Sequence, residues 1–245
     1  MLTRDQLEFF ADHGWIVLDD VFDAARCAAF RAGLDRMAAT RRHSGGSCAQ
    51  TVVVTHAVFD DPLFLAWLRE PRILEANAQI IGDRLRFQGD NAFIRVPHPD
   101  RATRRDELMD PDTWGWHRGL RPRQGNHAHD DPRLIACTFL NNITYLTDVA
   151  AGDGATAFLD GSHLHEGDYG TLKARCPIVQ PTVRAGSIVL FTETLIHGAV
   201  PIVSERTRYC QFHGFVPRFP WPPPIAPSQL MENLVDQELK ALLGG

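Results

Sequence analysis

The sequence lacks any apolar run near the ~20 residues that a bilayer-spanning helix needs, which argues against a membrane span. It lacks a basic block as well. The formal net charge is −5, so nucleic-acid binding has no electrostatic footprint. It has no C-x-x-C pair. The five cysteines, Cys27, Cys48, Cys137, Cys176 and Cys210, are widely and irregularly spaced. An odd, scattered set suits the reduced thiols of a cytoplasmic protein and not a disulfide frame. Cys137 and Cys210 lie in apolar runs and read as small core residues. No internal repeat or low-complexity segment is present. The opening Met1–Gln6 is polar and lacks the apolar centre of a signal peptide.

What is there suits one domain with a sizeable core: 245 residues, 44% of them hydrophobic. Residues 1–83 read as mostly helical support. Thr3, with Gln6 three positions on, predicts a capping box for a helix over 3–13 that Gly14 ends. Trp15–Leu18 and Val52–Val54 read as strands. Helical spacing runs from Asp23 to Ala39, and further helices are expected over 61–67 and from Pro71 to Ile81, the last ended by Gly82. Residues 41–50 read as a loop. From 84 to 219 short β-prone runs alternate with turn residues, at 84–96, 114–118, 134–147, 155–159, 177–183, 187–191, 195–200 and 207–216, the rhythm of a sandwich or barrel. Segment 98–113 reads as a loop over the barrel mouth, a candidate lid. Residues 220–245 form a tail, proline-rich at first and ending in a helix over 228–243.

Two stretches stand out, Trp114-Gly115-Trp116-His117-Arg118-Gly119 and Phe191-Thr192-Glu193-Thr194-Leu195-Ile196-His197-Gly198. With "LTRDQLEFFADHGWIVLDDVF", "GDGATAFLDGSHL" and "RAGSIVLFTETLIHGAVPIVSERTRY", the chain resembles the phytanoyl-CoA dioxygenase family of iron(II)/2-oxoglutarate oxygenases. The resemblance implies a mainly β fold with flanking helices, a double-stranded β-helix of the jelly-roll, cupin-like kind. It implies His117 and His197 as iron ligands, and Arg208, eleven residues after His197, as the arginine that grips 2-oxoglutarate. Arg95 falls where the family carries a lysine that also reaches this cosubstrate; a strand-end arginine facing solvent is the other reading.

The family's His-x-Asp is His117-Arg118-Gly119 here. On a strand, residues i and i+2 share a face, so His-x-Asp aims two ligands at one metal and a distant histidine completes a facial triad. Gly119 removes the carboxylate and its charge. That change resembles the related halogenases, in which chloride or bromide would fill the gap and be delivered to carbon. Water in the gap would give hydroxylation. Glu193 is the candidate substitute ligand. Four residues of extended strand would hold it ~13 Å from His197, whereas a tight turn would bring it back; a solvated turn carboxylate is the alternative. By alternation Arg208, Cys210 and Phe212 share an inward face, and a buried arginine needs an anion, either a structural acid or the carboxylate of 2-oxoglutarate.

Gln88, Asn91, Asn141 and Tyr145 are candidates for the barrel interior, Trp116 for the face opposite His117, and Trp114 for core or water exclusion. His163 is a family landmark with a structural role, and His13 is treated as ordinary. The basic stretch Arg118 through Arg123 suggests an acidic or carrier-linked substrate. The expected activity is attack on a C–H bond of a small molecule, with O2. Two rivals remain: a non-catalytic jelly-roll binding protein, and a zinc hydrolase built on His127-Ala128-His129-Asp130.

Overall fold

The computed structural model describes residues 1–40, 50–82, 84–119, 131–135, 137–218 and 235–243. Residues 41–49 of the loop expected over 41–50, Cys48 among them, the His127–Asp130 motif, Arg121, Arg123 and residues 219–234 of the proline-rich tail lie outside the described residues.

In chain order the strands are β1 (Trp15–Leu18), β2 (Thr51–Thr55), β3 (Leu85–Arg95), β4 (Leu140–Tyr145), β5 (Thr156–Leu159), β6 (Ile178–Val179), β7 (Ile188–Thr192), β8 (His197–Ala199) and β9 (Arg208–Pro217). They form a six-stranded sheet in the order β1-β7-β4-β9-β3-β2 and a three-stranded sheet in the order β6-β5-β8, every pairing antiparallel. This is the jelly roll that the resemblance implies. β1 pairs with β7 and β2 with β3, so the amino-terminal segment supplies two strands of the major sheet and not only helical support.

The period of two explains how one sheet buries both faces. Ile143, Tyr145, Val189, Phe191 and Cys210 turn inward and pack with Phe158 of the minor sheet. Leu140, Ile188, Leu190, Phe87, Ala92 and Phe215 turn outward, against the helices. Those helices are α1 (Arg4–His13), α2 (Ala24–Thr40), α3 (Ala57–Asp60), α4 (Pro62–Leu65) and α5 (Pro71–Ile81). The capping box on α1 forms, and Gly14 ends that helix in the left-handed region at φ 80°. Glu70 caps α5, whose first residue is Pro71. The helix expected over 61–67 is split into α4 and a 3-10 turn, Ala66–Arg69, and the short α3 precedes it. Buried amides fasten the outer layer. Asn77 of α5 and Asn142 of β4 donate to each other at 2.8 and 3.0 Å, and the Trp67 indole donates to Thr144 at 2.9 Å.

Asp160 latches α1 and β1 to the barrel. Its carboxylate accepts from the Trp15 indole and pairs with His13 Nδ1, both at 2.7 Å, so His13 is not an ordinary surface histidine. His163 has the structural role expected of it, with Nε2 on the Ala11 carbonyl at 3.1 Å. Segment 98–113 is anchored and is not a free lid. His98 N donates to Ile202 O, Arg105 to Val203 O and the Trp114 indole to Leu108 O. Cys27, Cys137, Cys176 and Cys210 are buried free thiols.

Asp90 ties α3 to the sheet and sets a pH dependence. Oδ2 accepts from Val58 N and from Gln211 Nε2, while Oδ1 has no partner among the described residues. Burial pushes this carboxyl up to about 6, against the opposing pull of those hydrogen bonds and of His56. The folded chain therefore holds a proton that the unfolded chain releases near pH ~4. Stability contributed by this group is present below about pH 4 and is lost as pH rises to about 6. Asp90→Asn removes that loss. Urea unfolding of both proteins at acid and neutral pH is expected to show the variant gaining roughly 2–3 kcal/mol on the parent across the interval.

Candidate metal centre

His197 opens β8 after a turn that begins at Thr192, the last residue of β7. His117 is expected on a strand over 114–118. Instead it forms an isolated antiparallel bridge with His197, with His117 N to His197 O at 2.9 Å and the reverse bond at 2.8 Å. The bridge extends the minor sheet by one residue and sets the two rings side by side, centroids 4.3 Å apart and planes at 57°. Two imidazoles bound to one first-row metal at about 2.1 Å and at right angles would place their centroids roughly 4.5 Å apart.

The hydrogen bonds assign the tautomers. His117 Nδ1 lies 3.0 Å from Gly115 O and His197 Nδ1 lies 2.8 Å from Leu195 O. A carbonyl only accepts, so Nδ1 of each ring carries the proton and Nε2 offers its lone pair. Burial drives the His197 pKa down to about 4; the Leu195 carbonyl opposes this and the charge on His117 adds to it. His197 is therefore a neutral donor throughout the neutral range. Two such nitrogen donors suit a ferrous ion, with each ring's second nitrogen fixed by the backbone.

Gly198, next along β8, lets the Trp114–Trp116 stretch lie close, since a Cβ there would sit 2.9 Å from Trp114 O. Trp116 turns away from the rings and stacks on Tyr169 at 4.7 Å, while Trp114 is core. Arg118 is consumed by structure. Nη1 donates to the carbonyls of Ser162, His165 and Thr194 at 3.2–3.3 Å, and Nη2 to Gly167 O. It staples the His117 strand to the adjoining loops, which removes Arg118 from the basic patch expected to meet an acidic substrate.

One cavity of about 290 Å³ is lined by His117, His197, Arg95, Arg208, Thr156, Phe93 and Phe212 among others. Arg95 and Arg208 are direct cross-strand partners in the β3–β9 register, an unfavourable pairing for like charges. Arg95 donates to Val200 O at 3.0 Å. Arg208 is 6% exposed, and its Nε and Nη1 have no hydrogen-bond partner among the described residues. Buried donors without partners mark a place for an anion, and two guanidinia with a nearby hydroxyl suit a carboxylate. A second compartment of about 320 Å³ adjoins the first at Phe93 and Phe212. Gln88, Asn91, Asn141 and His56 line it, with Phe139. Gln88 and Asn141 are half-buried there and Asn91 is exposed at the compartment's mouth, whereas Tyr145 is core and bonds Thr156.

Glu193 is not held at extended-strand distance. The turn reverses the chain so that Gly119 N donates to Glu193 O at 2.9 Å, and Glu193 N donates to Phe139 O at 2.9 Å. The side chain lies against Gly119: a Cβ there would stand 2.2 Å from Glu193 Cγ and 2.7 Å from Oε1. Asn141 donates to Oε2. Burial raises the Glu193 pKa, opposed by the Asn141 bond and by His117. Among the described residues no three His, Cys, Asp or Glu side chains stand close enough to hold a metal together. The two rings therefore converge here without a third side chain in place.

The sequence profile of the phytanoyl-CoA dioxygenase (PhyH) family matches residues 10–210. Ectoine dioxygenase of Bordetella parapertussis is 23% identical over 242 residues, covering 84% of this chain and 73% of that protein. HygX from Streptomyces hygroscopicus, crystallised with nickel and 2-oxoglutarate bound, shares the fold with a TM-score of 0.71 at 20% identity, over 89% of each chain. The non-heme α-ketoglutarate-dependent carbocyclase SnoK from nogalamycin biosynthesis shares it with a TM-score of 0.69 at 17% identity, over 88% of this chain and 84% of that one. No helix among the described residues is long and apolar enough to cross a membrane.

Proposed function

The chain belongs to the phytanoyl-CoA dioxygenase family, and from that premise we propose that this iron(II)/2-oxoglutarate-dependent oxygenase, acting as one domain, attacks a C–H bond of a small polar molecule. His117 and His197 hold the iron, and Arg208, with Arg95 beside it, holds 2-oxoglutarate. The observation that carries this reading is the single cavity bordered by both imidazoles and both guanidinia. When bound, ferrous iron with 2-oxoglutarate supplies the oxidising chemistry that O2 needs to attack an unactivated C–H bond. The chain's own residues do the positioning. Gly115 O and Leu195 O lock the rings with Nε2 forward. Arg208 neutralises a carboxylate in a dry setting, and apolar side chains such as Phe93 and Phe212 keep water away.

The adjoining compartment, with amides at Gln88, Asn91 and Asn141 and aromatic walls at Phe93, Phe139 and Phe212, suits a hydrogen-bonding substrate of the kind natural-product pathways handle. The buried free thiols support a cytoplasmic setting.

Gly119 favours one second reading, radical halogenation with chloride or bromide beside the iron in the carboxylate's place. Turnover of an accepted substrate in saturating chloride or bromide separates the two. Hydroxylated product alone is the expected result; halogenated product would establish the second reading. Failure to form succinate from 2-oxoglutarate with any of a broad set of small polar compounds, in protein loaded with iron, would count against both.

A further inference from the structure

We infer that Glu193 has taken over the role of the missing triad carboxylate, so that the acidic ligand comes from the turn before His197 and not from the residue two places after His117. The inference rests on the oxygenase reading and deepens it.

Four observations carry it. The Glu193 side chain fills the volume that an aspartate at 119 would need, with Cγ 2.2 Å from the Cβ position there. Gly119 is thus the space into which Glu193 packs, not an open slot. The backbone bond from Gly119 N to Glu193 O, 2.9 Å, fixes the two residues as neighbours. Among the described residues the carboxylate forms no salt bridge; its partner is the neutral amide of Asn141. A half-buried carboxylate with only an amide for company is costly unless a cation arrives. Finally, among the described residues that line the cavity shared by the two imidazoles, none is acidic. Glu193 is therefore the nearby source of the negative charge that a dication between two neutral rings calls for.

In the arrangement described, Glu193 and the two rings do not yet converge within ligand range. The carboxylate rests on Asn141 and must turn toward the rings when metal enters. Asn141 is then a positioning residue that stores the carboxylate beside the site. A halide would have to displace this side chain to occupy the same volume.

Calorimetric titration of metal-free protein with manganese(II), an oxygen-stable probe, tests the inference without turnover. Glu193→Gln keeps the shape and the Asn141 bond but loses the charge, and should weaken manganese binding by about tenfold or more. Gly119→Asp alone should lower the melting temperature, because the new side chain meets Glu193. Gly119→Asp combined with Glu193→Ala should bind manganese within about threefold of the parent, restoring His-x-Asp. This double variant also keeps the test alive if Gly119→Asp does not fold. Unchanged affinity in Glu193→Gln, or a double variant as weak as Glu193→Ala, overturns the inference. His117→Ala and His197→Ala separate it from the underlying reading. If these lose manganese while Glu193→Gln does not, only the carboxylate assignment fails. If the parent binds none, or the histidine variants bind as well as the parent, the oxygenase site itself fails.

Discussion

His197→Ala is expected to lose ferrous iron and to cut 2-oxoglutarate turnover by about a thousandfold or more. Loss of a residue that merely orients a ligand costs roughly 10–100-fold in metal affinity; removing one of two imidazoles removes a bond that no described side chain replaces. The variant should still fold. The ring is buried and touches Phe191 edge-on at 4.8 Å, so a small cavity forms, but a buried polar ring held by one carbonyl disappears with it. His117→Ala should lose iron equally and disturb folding less, since this ring is exposed at the cavity mouth. Iron content after anaerobic loading and succinate yield are the readouts. Retained iron in either variant would point away from the paired rings.

Arg208→Leu should produce two effects of opposite sign. In the protein free of cosubstrate, an apolar side chain replaces a buried guanidinium that faces Arg95 across the sheet and leaves two nitrogens without partners. The melting temperature is expected to rise. Binding of 2-oxoglutarate should fall by about a hundredfold or more, since breaking a buried ion pair costs roughly 3–5 kcal/mol and each 1.4 kcal/mol is a factor of ten. Added 2-oxoglutarate should then stabilise the parent against heat and leave the variant unmoved. Arg208→Lys should behave more like the leucine variant than like the parent, because a point charge cannot supply the planar pair of donors. If Arg208 were instead a structural salt-bridge partner, its loss would destabilise the free protein.

The parts legible in the sequence were those written in local chemistry. Thr3 and Gln6 announce the cap of α1, Pro71 and Gly82 bracket α5, and alternation at Arg208, Cys210 and Phe212 gives the inward face of β9. The family resemblance implies His117 and His197 as partners, and their rings lie 4.3 Å apart. What escaped the sequence depends on chain reversal and on partners far away. Residues 114–118 alternate like a strand, yet Arg118 spends its donors on four carbonyls from two other segments, and only His117 bridges. The distance argument against Glu193 assumed extended chain; the turn after Thr192 cancels it. Asn141 stands 52 residues from Glu193, and no local signal pairs them. Asp160 latches Trp15 and His13 from about 145 residues away, and no local signal pairs them.

The central claim is that two imidazoles share one iron beside an arginine-held cosubstrate. A crystal grown anaerobically with iron(II) and 2-oxoglutarate, with anomalous scattering recorded at the iron edge, tests it most directly. One peak bonded to Nε2 of both His117 and His197, with a 2-oxoglutarate carboxylate on Arg208, is the result expected. A peak on His127 and His129 instead, or cosubstrate bound away from Arg208, would contradict it.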